Sequence, residues 1–201
     1  MLDGRRAADA EGMTRSASLR LICSLALICL AAALPAATAS AAPPCANADL
    51  VPDASNVAAV RSATLCLLNV QRTSRGLVAL RSDRQLRTVD QRYSGQMVTH
   101  GFFAHVGYDG STLASRVKSS TSYVARAAQW SLGENLYWGS GSLATPQESV
   151  TGWMNSPGHR RNVLNRRFRD IGIGITAGAP EDVSGSPAAT YATEFGTRSF
   201  R

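Results

Sequence analysis

The chain has 201 residues, 44% of them hydrophobic, and its 21 basic and 14 acidic residues give a net charge of +7. That length supports one well-buried domain, and with no internal repeat it excludes solenoid and propeller architectures. The basic balance favours anionic envelope polymers or lipid head groups as partners but is silent on fold.

The first twenty residues carry Arg5, Arg6, Arg15 and Arg20, and LICSLALICLAAAL from Leu21 to Leu34 is uncharged and apolar. This run is too short to span a bilayer comfortably. Pro35 and the small residues behind it place a signal-peptidase site after Ala39, Ala41 or Ala42, so residues 1–42 read as a signal peptide. An uncleaved membrane anchor is the competing reading, which the helix-breaking Pro35 opposes. Arg5-Arg6 lacks twin-arginine context, and neither Cys29 nor Cys45 satisfies a lipidation signal. The expectation is a free, secreted monomer with no stable membrane span after cleavage. Losing the leader removes four arginines and three acids, leaving 17 basic and 11 acidic residues, a net charge of +6. Cys23 and Cys29 leave with it, so Cys45 and Cys66 remain as an even pair in an oxidising compartment. A disulfide is predicted, worth about 3 kcal/mol by loop entropy, with two separate buried thiols as the alternative. It would tie an N-terminal arm, residues 43–61, to the first helix.

Ser55 or Asn56 can cap that helix, in which Val57, Val60, Leu65 and Leu68 form one stripe until Gly76 ends the run. Asp83 opens a second helix carrying Leu86, Val89, Tyr93 and Met97, closed by His100-Gly101. FFAHVGYDG reads as a structured loop, followed by a short helix from Ser111 to about Ser119. Thr145-Pro146-Gln147-Glu148 is a capping box for a helix with Val150, Trp153 and Met154, and Ser156-Pro157-Gly158-His159 repeats the start signal with Ser156 as N-cap. From Asp170, IGIGIT alternates apolar and small residues, and YATEFG alternates again, a β-hairpin with a long connection. Helices first and strands last point to an α+β domain with helices covering an antiparallel sheet.

Three histidines remain after the leader. His100, at a helix end, is assigned to capping, where an imidazolium meets the negative end of the dipole. His105 lies in the aromatic loop and reads first as a half-buried loop histidine. His159 starts a helix, where the positive dipole end lowers its pKa and suits a neutral ligand or base. Glu134 sits in SLGENLYWGS among apolar and aromatic residues, read either as holding a Gly-Glu-Asn turn or as a ligand or general base facing the histidines. Their separations match no local metal motif. The arginines at 160, 161, 166, 167 and 169 read first as a solvated face and more sharply as an anionic-polymer site; nucleic acid is excluded by export and by the lack of a stacking pattern.

The ordered set LNVQR at 68–72, GLVAL at 76–80, GFFAH at 101–105, GENL at 133–136, WMNSPGHRRNVL at 153–164 and DIGIGI at 170–175 with FG at 195–196 resembles the bacterial branch of the CAP superfamily of cysteine-rich secretory proteins, antigen five and pathogenesis-related proteins. The resemblance runs from about Ser62 to Thr197, and residues 62–201 read as one domain. It implies an α-β-α sandwich, helices on both faces of a small antiparallel sheet, and a shallow cleft whose histidines and acidic residues can hold zinc or another divalent cation. Carried onto this sequence, the metal set is His105, Glu134 and His159, with Ser156, Trp153 and Asn135 lining the cleft and Trp153 packing beneath His159. Eukaryotic members have a glutamate three residues after the tryptophan, where this chain has Ser156, and Asp90 stands where relatives have a small residue.

Two functions follow from the resemblance. One is an extracellular binding module for a lipid, another small hydrophobic ligand or an anionic envelope component. The other is a zinc-assisted hydrolase in which a metal-bound water attacks a carbonyl, with Glu134 and His159 as candidate catalytic residues. A metal-free Ser156, His159 and Glu134 relay is its weaker variant, because a capping hydroxyl is committed to backbone amides.

Overall fold

The computed structural model describes residues 45–200; the expected leader lies outside them. In chain order the elements are α1 (Val57–Thr73), β1 (Arg81–Ser82), α2 (Arg84–His100), α3 (Leu113–Ser120), β2 (Gln129–Ser140), α4 (Pro146–Asn155), α5 (Pro157–Val163), β3 (Asp170–Ala177) and β4 (Ala188–Ser199). The strands lie in the order β1-β3-β4-β2. β3 and β4 pair as the expected antiparallel hairpin, the unexpected β2 lies antiparallel on the other side of β4, and the two-residue β1 adds a parallel edge against β3.

Alternation along β3 decides the layers. Ile171, Ile173 and Ile175 point to one face, where they are buried with Val60 and Leu68 of α1, Val150 and Trp153 of α4, and Val163 of α5. Gly172 and Gly174 point to the other face, against α2. A Cβ on Gly174 would stand 2.1 Å from the Asp90 carbonyl carbon, and one on Gly172 would stand 2.4 Å from that of Leu86. Only hydrogen at these two positions lets the helix backbone lie on the strand. Leu86, Val89 and Val117 then close over Tyr123, and Tyr93 and Met97 over Leu136 and Ala192. Helices therefore cover both faces, an α-β-α sandwich.

Side chains occupy backbone groups on both long sheet edges. On β3 the Arg61 Nε donates to the Ile173 carbonyl (2.9 Å), and Gln91 both donates to the carbonyl of Ile175 (2.8 Å) and accepts from its N–H (3.2 Å). On β2 the Asn162 Nδ2 donates to the Glu134 carbonyl (3.0 Å) and the Trp153 Nε1 to that of Leu136 (2.9 Å).

The caps differ in detail from expectation. Asp83 caps α2 through the N–H groups of Gln85 and Leu86, and Gly101 ends it in the left-handed conformation. Asn56 occupies the N-cap of α1, but its side chain turns back to bond Asp53 and Val51 in the arm. α3 begins at Leu113, with a reciprocal box between Thr112 and Ser115. Thr145 accepts from the Glu148 N–H, one half of the expected box. Cys45 and Cys66 are disulfide-bonded, Cα atoms 5.8 Å apart, fastening the arm to α1.

Gly174→Ala is expected to lose about 3 kcal/mol of unfolding free energy in urea titration, the upper end of overpacking costs, because the clash is with helix backbone. A loss within experimental error would show that α2 can withdraw without penalty.

Candidate functional site

The site is assembled around β2, an element absent from the sequence reading. Glu134 lies in the middle of this strand, which corrects the Gly-Glu-Asn turn expected for it. The segment showed no alternation because both faces of β2 are covered, with Leu132 and Leu136 packed toward α2 and α3 and Tyr137 toward α4.

On the α2–α3 side, Glu134 Oε1 lies 2.7 Å from His105 Nδ1 and Oε2 accepts from Arg116 Nη2. The Glu134 side chain is 3% exposed, whereas His105 is 61% exposed, so the pair joins the interior to solvent. Its hydrogen bond to Glu134 raises the His105 pKa above its ordinary value, against the effect of burial. Arg116 is the buried partner that sequence reasoning missed. Its Nη1 donates to the carbonyls of His105 and Ser111 (both 3.1 Å), and its guanidinium lies 3.5 Å from the centre of the Tyr93 ring. The same side chain therefore compensates Glu134 and fixes the loop that carries His105. His100, as assigned, closes α2, and its ring stacks on Tyr108 at 3.8 Å.

On the opposite side of β2, Asn135 points away from Glu134, as alternation requires. It is fully buried, donates to the His159 carbonyl (3.1 Å) and accepts from Asn162 (2.9 Å). Asn135 was expected to line the cleft; it lies behind it and anchors the first turn of α5. His159 itself is partly exposed, and burial together with the charge of His105 lowers its pKa. Ser156 stands at the N-cap of α5 but makes no side-chain capping bond, which corrects the assignment of its hydroxyl to backbone amides.

His159, Ser156 and Trp153 share a shallow groove of about 310 Å³ with Phe103, Leu136, Tyr137, Trp138 and Gly152. It follows the outer edge of β2, with α4 and α5 on one flank and the loop after α2 on the other. Trp153 is fully buried beneath it.

For a divalent metal the arrangement does not fit. Both Glu134 oxygens are engaged, one of them by a buried cation, and among the described residues no three His, Cys, Asp or Glu side chains are grouped to hold a metal ion. A guanidinium in contact with the carboxylate opposes a second positive charge there.

Behind Glu134 lies a second feature, two further carboxylates. Glu194 pairs across the sheet with both Glu134 and Gly172, and Asp90 of α2 stands over Gly172. Asp90 Oδ2 accepts from the Glu194 N–H (3.2 Å), but Asp90 Oδ1 and both Glu194 carboxylate oxygens are buried without a hydrogen-bond partner. Burial, reinforced by neighbouring carboxylates, raises both pKa values well above the ordinary range. A signal for Glu194 was present in the sequence: an acid in an alternating strand of a sheet covered on both faces has no wet side to point to.

Unfolded carboxyls titrate near pH 4, so the stability carried by the protonated pair is fully present below that pH and is lost as pH rises through the raised folded values. Unfolding free energy measured by urea titration is expected to fall as pH rises above about 4, and Glu194→Gln to shrink that fall. Identical pH profiles for the two proteins would show that Glu194 does not titrate in this window.

A family model described as the Cysteine-rich secretory protein family (CAP) matches residues 65–191. The uncharacterized protein YkwD of Bacillus subtilis (strain 168) is 34% identical over 121 residues, 60% of this chain and 44% of that protein. The chain spans less than half the length of the curated relatives it matches. An extracellular protein containing a SCP domain from Bacillus anthracis is similar at 25% identity and a TM-score of 0.50, over 70% of this chain and 40% of that one. An outer surface protein from Borrelia burgdorferi shares the fold at 20% identity and a TM-score of 0.54, over 67% of this chain and 90% of that one. With a family match over most of the described domain, and a sandwich that repeats in solved SCP structures, the chain belongs to the cysteine-rich secretory protein, or CAP, family.

Proposed function

We propose that this CAP protein is an exported binding module whose groove along β2 holds a small apolar ligand, with the ligand's polar end at His159 and Ser156. The observation that supports this reading most is the wall itself. Phe103, Leu136, Tyr137 and Trp138, backed by buried Trp153, form an aromatic and aliphatic strip beside two polar side chains, the usual composition of a small-ligand site. Phe103 is 44% exposed, a large apolar surface left in water beside the groove. Export is supported by the disulfide, by the leader composition and by the extracellular SCP protein that this chain resembles. Among the described residues no helix is long and apolar enough to cross a membrane.

Titration with a fatty acid or a sterol, followed by tryptophan fluorescence, is expected to saturate. Phe103→Asp should weaken binding roughly tenfold, the loss of part of a buried aromatic, at unchanged Tm. Equal affinity in the two proteins would remove the groove from ligand binding.

The zinc-hydrolase reading has no comparable support, since its metal set would require Glu134 to leave Arg116. Calorimetric titration with zinc is expected to show weak binding in the wild type and at least roughly tenfold tighter binding in Arg116→Met, where Glu134 is released as a ligand. Tight binding to the wild type that His105→Ala with His159→Ala abolishes would restore the metal site.

A further inference from the structure

A separate site is built at the start of β2. On the face that carries Tyr191 and Phe195, helical cover ends at Phe168, whose ring stacks on Phe195 at 5.7 Å and would lie 3.0 Å from a Cβ on Gly133. The sheet continues for two more register pairs on that face, Ser131 opposite Thr197 and Gln129 opposite Ser199. By alternation these four side chains share the face of Gly133. They give three hydroxyls and an amide to the floor of a concavity of about 470 Å³, and Arg167 forms its rim. The Trp130 ring lies with Lys118 of α3 on the opposite face, Nζ 5.0 Å from its centre.

The rim is held in place. Fully buried Arg72 donates to the carbonyls of Val163 (2.7 Å), Asn165 (3.0 Å) and Phe168 (3.2 Å), and the Arg169 N–H donates to Gly196 (2.9 Å). Between Glu148 and Asp170 the sequence has no acidic residue. The arginines at 160, 161, 166, 167 and 169 are all exposed, and among the described residues none of them is in an ion pair.

We propose that this surface binds a linear polymer in which phosphodiester charges alternate with free hydroxyls, a polyol-phosphate chain. Exposed arginines with no carboxylate partner, Arg167 at the rim among them, gain most from a densely charged chain, through counterion release. Guanidinium forks match phosphate oxygens two at a time. The floor requires a partner that can hydrogen-bond; an acyl chain would leave three hydroxyls and an amide desolvated without partners. The site does not depend on the groove and stands whether or not the groove binds lipid.

The test is retention of the purified protein on immobilised poly(glycerol phosphate) as a function of salt. Affinity is expected to fall linearly on logarithmic axes, and Arg166→Gln with Arg167→Gln to weaken it roughly tenfold and to flatten the slope by about two charges. Ser131→Ala with Thr197→Val should weaken binding to the polyol phosphate severalfold while leaving retention on double-stranded DNA unchanged, because only the first ligand uses the floor. Equal retention on both polymers, with the floor variant silent on each, would reduce the surface to bulk charge and overturn the proposal. Stronger retention on polygalacturonate would overturn the phosphate assignment. No retention at about 0.15 M salt would overturn the site.

Discussion

The helix α2 lies on β3 because positions 172 and 174 carry no side chain, and the geometry of the site descends from that contact. Asp90 faces the strand at the point of approach, so its carboxyl is driven into the sheet beside Glu194. Tyr93, one turn further along, presents its ring to the Arg116 guanidinium. Arg116 in turn meets Glu134, and Glu134 meets His105. A helix standing further off would leave Arg116 without its aromatic support and Glu134 without a fixed counterion. Two hydrogen atoms in a strand thus determine where a histidine stands on the surface.

Local rules were legible wherever a residue acts on its own neighbours. Asp83 at the start of α2 and Gly101 at its end behave as their types predict, and IGIGIT carries the layer division of the whole domain in six letters. β2 was illegible because it lies between two layers, and a strand covered on both faces loses the period of two by which strands are recognised. Arg116 was illegible for another reason: it sits on a short helix 18 residues before its partner, and nothing local marks it as the counterion of Glu134. Asp90 stood out only against the resemblance, which implies a small residue there, and its partner Glu194 lies 104 residues away and only the fold joins them. The resemblance pointed to His105, Glu134 and His159 together, and it could not show that Arg116 already neutralises Glu134.

The two histidines reach the groove region from opposite layers of the sandwich, and their environments separate their chemistry. His105 leans on an anionic partner and is drawn toward the imidazolium form; His159, partly buried and repelled by that charge, is drawn toward the neutral form. The Glu134 side of β2 therefore favours the protonated form of its histidine, and the α5 side the neutral form of its own.

The side chains on the sheet edges bear on self-association. A four-stranded sheet ordinarily offers two rows of unsatisfied backbone groups, and in a protein at high local concentration each row is a template for another strand. Here two carbonyls on each row are occupied, by Arg61 and Gln91 on one side and by Asn162 and Trp153 on the other. Side chains beside the groove or anchoring its helix therefore also act as guards against fibrillar association. Drift at Trp153 or Asn162 would be penalised twice, once through the groove and once through solubility, so these positions have less freedom to vary than their distance from any reacting atom implies.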